Sequence, residues 1–307
     1  MGGGAFRIGG VQDAIQFTPP GKETRKQAIG QVEYLPADVR PLLDASRFEP
    51  ITAPGPIDWL AVHQEAGQTS AEFMRSRPNF PSEPRRIIYL QPLEEFSPDG
   101  PALSKLKAFT EAFFSVEVHV LPVAPHILGK VTTRVNSETR QPQFLTQDIL
   151  RVLKQRLPSR AYCLLGITLR DLYPDPKWNF VFGEASLNDR VGVYSFARYD
   201  PRFSGEDVSD RTGLMLRRSC KVLAHETGHM FGISHCVYFR CVMNGSNNLP
   251  EEDSQPMHLC PVDLRKLYDS VRFDPVARYA HLRDFCREVG FSDEAHWIEQ
   301  QLLAVHS

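Results

Sequence analysis

Between residues 225 and 235 the chain reads His-Glu-Thr-Gly-His-Met-Phe-Gly-Ile-Ser-His, and this run restricts the local fold more than any other segment. Leu216, Cys220, Leu223 and Met230 recur at the spacing that keeps one helix face apolar, so a helix is expected from about Thr212 to Phe231. Residues four apart on a helix differ by ~40° in direction, which puts His225 and His229 on one face, about one turn apart. Both rings can then reach one cation. Gly232 can adopt the left-handed conformation that ends a helix, so the chain can turn and bring His235 back toward the same point.

Three neutral imidazoles leave the fourth position of a tetrahedral Zn²⁺ open to water, which separates a catalytic site from a closed structural one. Water in that position has its pKa lowered from ~15.7 toward ~7. Glu226 stands where it can accept a proton from that water and later pass it to a leaving amine, the duty of a general base in peptide hydrolysis. A surface helix on which His, Glu and His meet by chance is the blander explanation for the five-residue core. Gly232 and His235 at fixed spacing leave it a small share.

At 307 residues, with 42% hydrophobic and 23% charged side chains, the chain is long enough and ordinary enough to bury a packed core. A formal net charge of -2 provides no field to attract nucleic acid or an anionic membrane, and the pairs Arg85-Arg86 and Arg217-Arg218 are isolated. No run approaches the ~20 apolar residues of a membrane span, and the N-terminus lacks the charged start and apolar stretch of a secretory signal. A monomer acting on peptide in the cytoplasm or nucleus is therefore expected. Met1-Gly2 does not open a myristoylation motif, because Phe6 stands where Ser or Thr is needed. The glycine run Gly2 to Gly4 reads as a flexible end.

Residues 1–84 form a Pro-rich, partly helical accessory segment by pattern, with Pro19-Pro20, Pro54-Gly55-Pro56 and Pro78 to Pro84 interrupting every periodic stretch. From residue 85 the character changes. Ile87 to Leu90 reads as a buried strand, Leu103 to Phe114 as a helix, Val116 to Val120 as a strand, Gln147 to Leu157 as a helix and Ala161 to Thr168 as another strand. That alternation predicts an α/β fold with crossover helices. Phe180 to Gly183 and Val191 to Ala197 predict a hairpin at the sheet edge. Beyond residue 262 Leu264, Leu267, Tyr268, Tyr279, Leu282, Phe285, Trp297, Ile298 and Leu302 keep helical spacing. The expected division is thus 1–84 and 85–307, the latter split into a sheet with the long helix (85–232) and a zinc-binding, mainly helical C-terminal part (233–307).

Of the six cysteines, Cys236, Cys241 and Cys260 follow the histidines closely; Cys163 reads as a small buried hydrophobe. Cys236 comes directly after His235, then Cys241 and Met243, and later Cys260-Pro261-Val262-Asp263. With the histidine run, this array resembles the archaemetzincins, a metzincin family of zinc peptidases in archaea and vertebrates. Asp171-Leu172-Tyr173-Pro174, Trp178 to Gly183 and Gly192 to Tyr199 resemble the family's catalytic domain, and Ile51 to Trp59 resembles the vertebrate members' N-terminal region.

The resemblance implies a metzincin-like catalytic domain with a mixed, mostly parallel twisted sheet and a long active-site helix. It implies one catalytic Zn²⁺ and a second, structural Zn²⁺ on four thiolates, of which Cys236, Cys241 and Cys260 are matched here. Asp263 stands at the fourth position, a harder and weaker donor to zinc, and Cys220, Cys286 and His258 are alternatives. It assigns Met243 to the floor of the catalytic site, where composition alone would read a core methionine. It also makes Gly192, Val193, Tyr194 and Ser195 part of an edge strand that pairs with extended peptide, the alternative being an ordinary interior strand. The expected function is a zinc metallopeptidase; a zinc-stabilised interaction protein without proteolysis, and hydrolysis of a non-peptide amide or ester, are the competing readings.

Overall fold

The structure is a computed structural model describing residues 17–96 and 100–305; the Gly2 to Gly4 run lies outside them. The described chain divides into two compact units. Residues 81–111 and 116–230 belong to the first, and residues 17–80, 112–115 and 231–305 to the second.

Within residues 17–80 the helices are Lys22–Ile29 (α1), Trp59–Val62 (α2) and Ser70–Arg75 (α3). A capping box starts α3: Thr69 accepts from the Glu72 amide while the Glu72 carboxylate accepts from that of Thr69.

Along residues 87–230 the elements are Ile87–Pro92 (β1), Leu103–Phe114 (α4), Val118–Val120 (β2), Thr133–Val135 (β3), Pro142–Leu145 (β4), Thr146–Gln155 (α5), Ala161–Thr168 (β5), Asp171–Tyr173 (β6), Gly183–Ser186 (β7), Val191–Ser195 (β8), Pro201–Ser204 (α6) and Arg211–Met230 (α7). One sheet has five strands in the order β2-β1-β5-β8-β7, and a smaller one the order β3-β4-β6. In the larger sheet every pair is parallel except β7 with β8. β1 and β5 are buried at every position, the condition of parallel strands covered on both faces, which is why they read as unbroken apolar runs. Ile149, Leu150 and Leu153 of α5 join Ile87, Tyr89, Leu164, Val191 and Val193 in one core. Truncating a side chain such as Leu153 to Ala would cost about 2–5 kcal/mol.

The hairpin of β7 and β8 forms, but β8 lies inside the sheet. Leu164–Thr168 pairs with Val191–Ser195 on one side and Gly183–Ser186 on the other. This corrects the edge-strand role given to Gly192, Val193, Tyr194 and Ser195. Their backbone donors and acceptors serve the sheet, and the strand is buried throughout. Among the described residues the sheet ends at β7, which begins only at Gly183; Val181 makes an isolated bridge to Leu172 instead. Gly183 is needed there, since a Cβ would stand 2.3 Å from the Tyr194 ring.

Asp210 caps α7 by accepting from the Gly213 amide at 2.9 Å. The helix is 20 residues long, or ~30 Å. From Met215 onward most of it is buried, and Arg218 donates to the Tyr199 carbonyl at 3.1 Å. The helix stops at Met230, and Gly232 follows with φ +83°, the left-handed turn expected from its position.

The second unit continues with Leu249–Ser254 (α8), Pro261–Val271 (α9), Pro275–Glu288 (α10) and Ser292–Val305 (α11). α9 is buried from Pro261 to Ser270, and its charges pair along the helix: Arg265 with Asp269 at 2.7 Å and Lys266 with Asp263 at 2.8 Å. α1 and α3 pack on α9. The Pro-rich stretch is tied in as well. Trp59 donates its amide to Glu251 at 2.8 Å, Arg47 reaches Gln301 at 3.0 Å, and Pro50 bridges Phe239. Among the described residues no helix is long and apolar enough to cross a membrane.

Candidate metal centres

The last turns of α7 present His225 and His229 with their rings edge to face, centroids 4.6 Å apart at 88°, and their Nε2 atoms 3.0 Å apart. Two imidazoles each ~2.0–2.1 Å from a tetrahedral zinc would have nitrogens ~3.3 Å apart, so the observed pair is close to the spacing a shared cation needs. Along the 225–235 segment, one ring nitrogen from each of His225, His229 and His235 lies within 4.8 Å of the other two. The chain itself favours this arrangement: the helix sets the first two rings a turn apart, and the glycine turn reverses the chain within three residues of the third.

His235 is 7% exposed and is held from its far side. Its Nδ1 is 2.7 Å from Glu65 Oε1, the same oxygen that accepts from Trp59 Nε1 at 2.8 Å. Burial alone would raise the Glu65 pKa, but the hydrogen bond and charge of His235 and the bond from Trp59 outweigh it, and the carboxyl is held below its ordinary value. One residue beyond His235, the Cys236 amide donates to the Met243 carbonyl at 2.8 Å, and Met243 is fully buried. Met243 therefore lies against the strand of chain that carries the third histidine.

Glu226, between the two helical histidines, is 3% exposed. The Tyr194 phenol of β8 feels its charge: burial first, then Glu226, pushes that phenol well above its ordinary range. Tyr194 thus belongs to the buried surroundings of Glu226, a different place from the peptide-pairing role read from sequence.

Cys236, Cys241, Cys260 and Asp263 form the other group, all buried, with ligand atoms within 4.8 Å of one another. Cys236 Sγ is 3.5 Å from Cys260 Sγ, and Asp263 Oδ2 is 3.3 Å from Cys241 Sγ and 3.5 Å from Cys260 Sγ. Sulfurs bound at ~2.3 Å to a tetrahedral zinc would be ~3.8 Å apart, so the four atoms surround a space of the right size. Burial pushes the Cys241 and Cys260 thiols well above their ordinary range. Burial acts on Cys236 too, but donors from Cys241, Cys260 and the amides of Phe239 and Tyr238 bring it well below. Asp263 rises to about 6 through burial, against the pull of Lys266. Three of these four shifts favour the protonated form; all four could ionise together only beside a compensating charge, which a divalent cation would provide. Asn244 locks the loop by accepting from the Cys241 amide at 2.7 Å and donating to the carbonyls of Cys236 and Phe239 at 2.8 and 2.9 Å.

Asp263 therefore stands where a fourth ligand should, and the alternatives lie outside the group. His258 stacks on Trp297 at 3.5 Å and bonds Glu294 at 3.1 Å, while Cys220 and Cys286 are buried in α7 and α10. Sequence reasoning missed Glu65, Trp59 and Lys266. Lys266 carried only the spacing, three residues after Asp263 on one helix face, which more often marks a solvated pair. Glu65 carried none, 170 residues before its partner.

A family model described as peptidase family M54 matches residues 150–269. Archaemetzincin-2 of Macaca fascicularis is 37% identical over 296 residues, covering 83% of this chain and 80% of that protein. Archaemetzincin-1 of Homo sapiens is 33% identical over 261 residues, covering 76% of this chain and 52% of the relative. Among solved structures, an archaemetzincin from Archaeoglobus fulgidus complexed with malonate is 32% identical, with a TM-score of 0.46 over 59% of this chain and 99% of that one.

Proposed function

The chain belongs to the archaemetzincins, peptidase family M54, and from that premise we propose that it cleaves peptide bonds at one zinc held by His225, His229 and His235, with Glu226 as general base. At the coarser level it is a zinc metallopeptidase, a hydrolase. The observation that carries the finer reading is the approach of one ring nitrogen from each histidine within 4.8 Å. Bound there, zinc supplies a Lewis acid that polarises the scissile carbonyl and acidifies water. Glu226 accepts the proton of the attacking water and returns it to the departing amine nitrogen. Its low exposure, 3%, keeps bulk water from competing for that proton.

The edge of β7, where the sheet ends among the described residues, can accept an extended peptide as a further strand, whose main-chain bonds would hold substrates of many sequences. In the same reading Cys236, Cys241, Cys260 and Asp263 hold a second zinc that is structural, Met243 floors the catalytic site, and residues 1–84 are an accessory to a catalytic region of 85–307. The partner is peptide, not nucleic acid or membrane, and the chain acts as a monomer in the cytoplasm or nucleus.

Glu226→Ala, with metal content and cleavage of a mixed peptide library measured side by side, tests the proposal. Zinc per chain should stay unchanged while turnover falls by ~10²–10⁴ or more. Turnover equal to that of the unaltered protein removes Glu226 from the mechanism.

A further inference from the structure

His225 and His229 have a helix to hold them, whereas His235 follows a glycine turn and belongs to irregular chain. A ligand in that position has more rotamer freedom to lose on binding metal. We propose that Glu65, from the Pro-rich segment ahead of the sheet, is a positioning residue for His235: it fixes the ring so that Nε2 is the nitrogen offered to the catalytic metal. The inference rests on the zinc site proposed above and adds a residue to it that no motif contains.

Glu65 Oε1 is the acceptor of two donors, Trp59 Nε1 at 2.8 Å and His235 Nδ1 at 2.7 Å. An ionised carboxylate offers only lone pairs, so the proton in the second bond resides on Nδ1 and the in-plane lone pair of the imidazole on Nε2. Trp59 also limits ring rotation, lying edge-on to His235 with centroids 5.1 Å apart at 85°. Trp59 is itself anchored: its amide bonds Glu251 at 2.8 Å, and its ring stacks on His63 at 3.7 Å. The Glu65 and His235 side chains are 21% and 7% exposed, so water competes weakly for their bond. A carboxylate behind a histidine ligand fixes its tautomer and raises its basicity, and removing such a partner costs 10- to 100-fold in metal affinity.

The test titrates the full-length chain with Co²⁺ against a chelator. The shorter-wavelength d–d bands of nitrogen and oxygen ligation report the histidine site, whereas thiolate-to-cobalt charge transfer, with its own longer-wavelength d–d bands, reports the cysteine cluster. Glu65→Ala should weaken the histidine site about 10- to 100-fold with the thiolate band unchanged. Glu65→Gln keeps an acceptor oxygen and should stay within a few-fold of the unaltered chain, with nitrogen NMR still finding the proton on Nδ1 of His235. If Glu65→Ala also loses the thiolate band, the fold has been disturbed and Glu65→Asp decides: withdrawn by one methylene, it should weaken the histidine site several-fold and spare the cysteines. Unchanged affinity in Glu65→Ala, or in Glu65→Asp where that variant decides, overturns the inference and leaves the zinc site standing. Cobalt taken up by the unaltered chain at the thiolates alone overturns both.

Discussion

His235 and Cys236 are consecutive residues, yet they serve groups of opposite character. The cysteine cluster has four donors at 2% exposure or less, each facing the others. The histidine group has three, and His225 and His229 are only partly buried. Four sealed donors saturate a tetrahedral ion and exclude water, while three donors leave a fourth position that water or substrate can take. Burial, more than donor type, separates the two groups along one stretch of chain, and in the proposed reading it makes one structural and the other catalytic.

If that contrast holds, disabling each site should damage a different property. His229→Ala should lower peptide turnover by about 10⁴-fold and remove one zinc per chain. Its thermal midpoint should stay within about 3 °C of the unaltered protein, and a large fall would mean that the histidine site is structural too. Cys236→Ala should reverse the pattern, costing about 4 kcal/mol or more of stability in metal-loaded protein, because a structural ion's binding energy is folding energy. Calorimetry that found this variant as stable as its parent would leave the cluster without a structural role.

A smaller effect comes from Asp263, whose pKa in the metal-free fold is raised from 3.8 to about 6. The folded state then binds more protons than the unfolded one across that window, so stability is greatest below it and falls as pH rises through it. A displacement of about two pH units at ~1.4 kcal/mol each is about 3 kcal/mol. Asp263→Asn should abolish this slope in denaturant titrations of the metal-free chain, and bound metal should mask it; an identical slope in the variant would assign it elsewhere. Smallest of all, Asp263→Cys should tighten the cluster's zinc about tenfold in chelator competition, since thiolate suits zinc better than carboxylate. Weaker binding would indicate that Lys266, 2.8 Å from Asp263 Oδ1, has made the carboxylate the better ligand at this position.

Much of the fold could be read from local pattern. The apolar face of Leu216, Cys220, Leu223 and Met230 located α7 to within a residue at each end, and the run Ala161 to Thr168 coincides with β5. The hairpin was legible in part: its second strand was, but its first lies at Gly183–Ser186 and not at Phe180 to Gly183, and which of the two is the outer one was not legible. Val191 and Val193 look the same whether a strand has one neighbour or two, because side-chain alternation records faces and not the hydrogen-bonded edges. Lys266 illustrates another limit: a lysine three residues after an aspartate usually marks a solvated helix face, and only packing reveals that this one is 1% exposed.

By itself the sequence determined where the chain could place two imidazoles and a turn, since helical pitch and glycine's freedom at positive φ act over a few residues and need no partner. For the second group the sequence offered three clustered cysteines, and only the family resemblance pointed to Asp263 beside them, with Cys220, Cys286 and His258 left open. Tertiary structure alone decided that β7 bounds the sheet, that α9 buries Asp263 with Lys266, and that Glu65 meets His235 from 170 residues away. Such pairings depend on how distant segments pack, and no short-range periodicity encodes that distance.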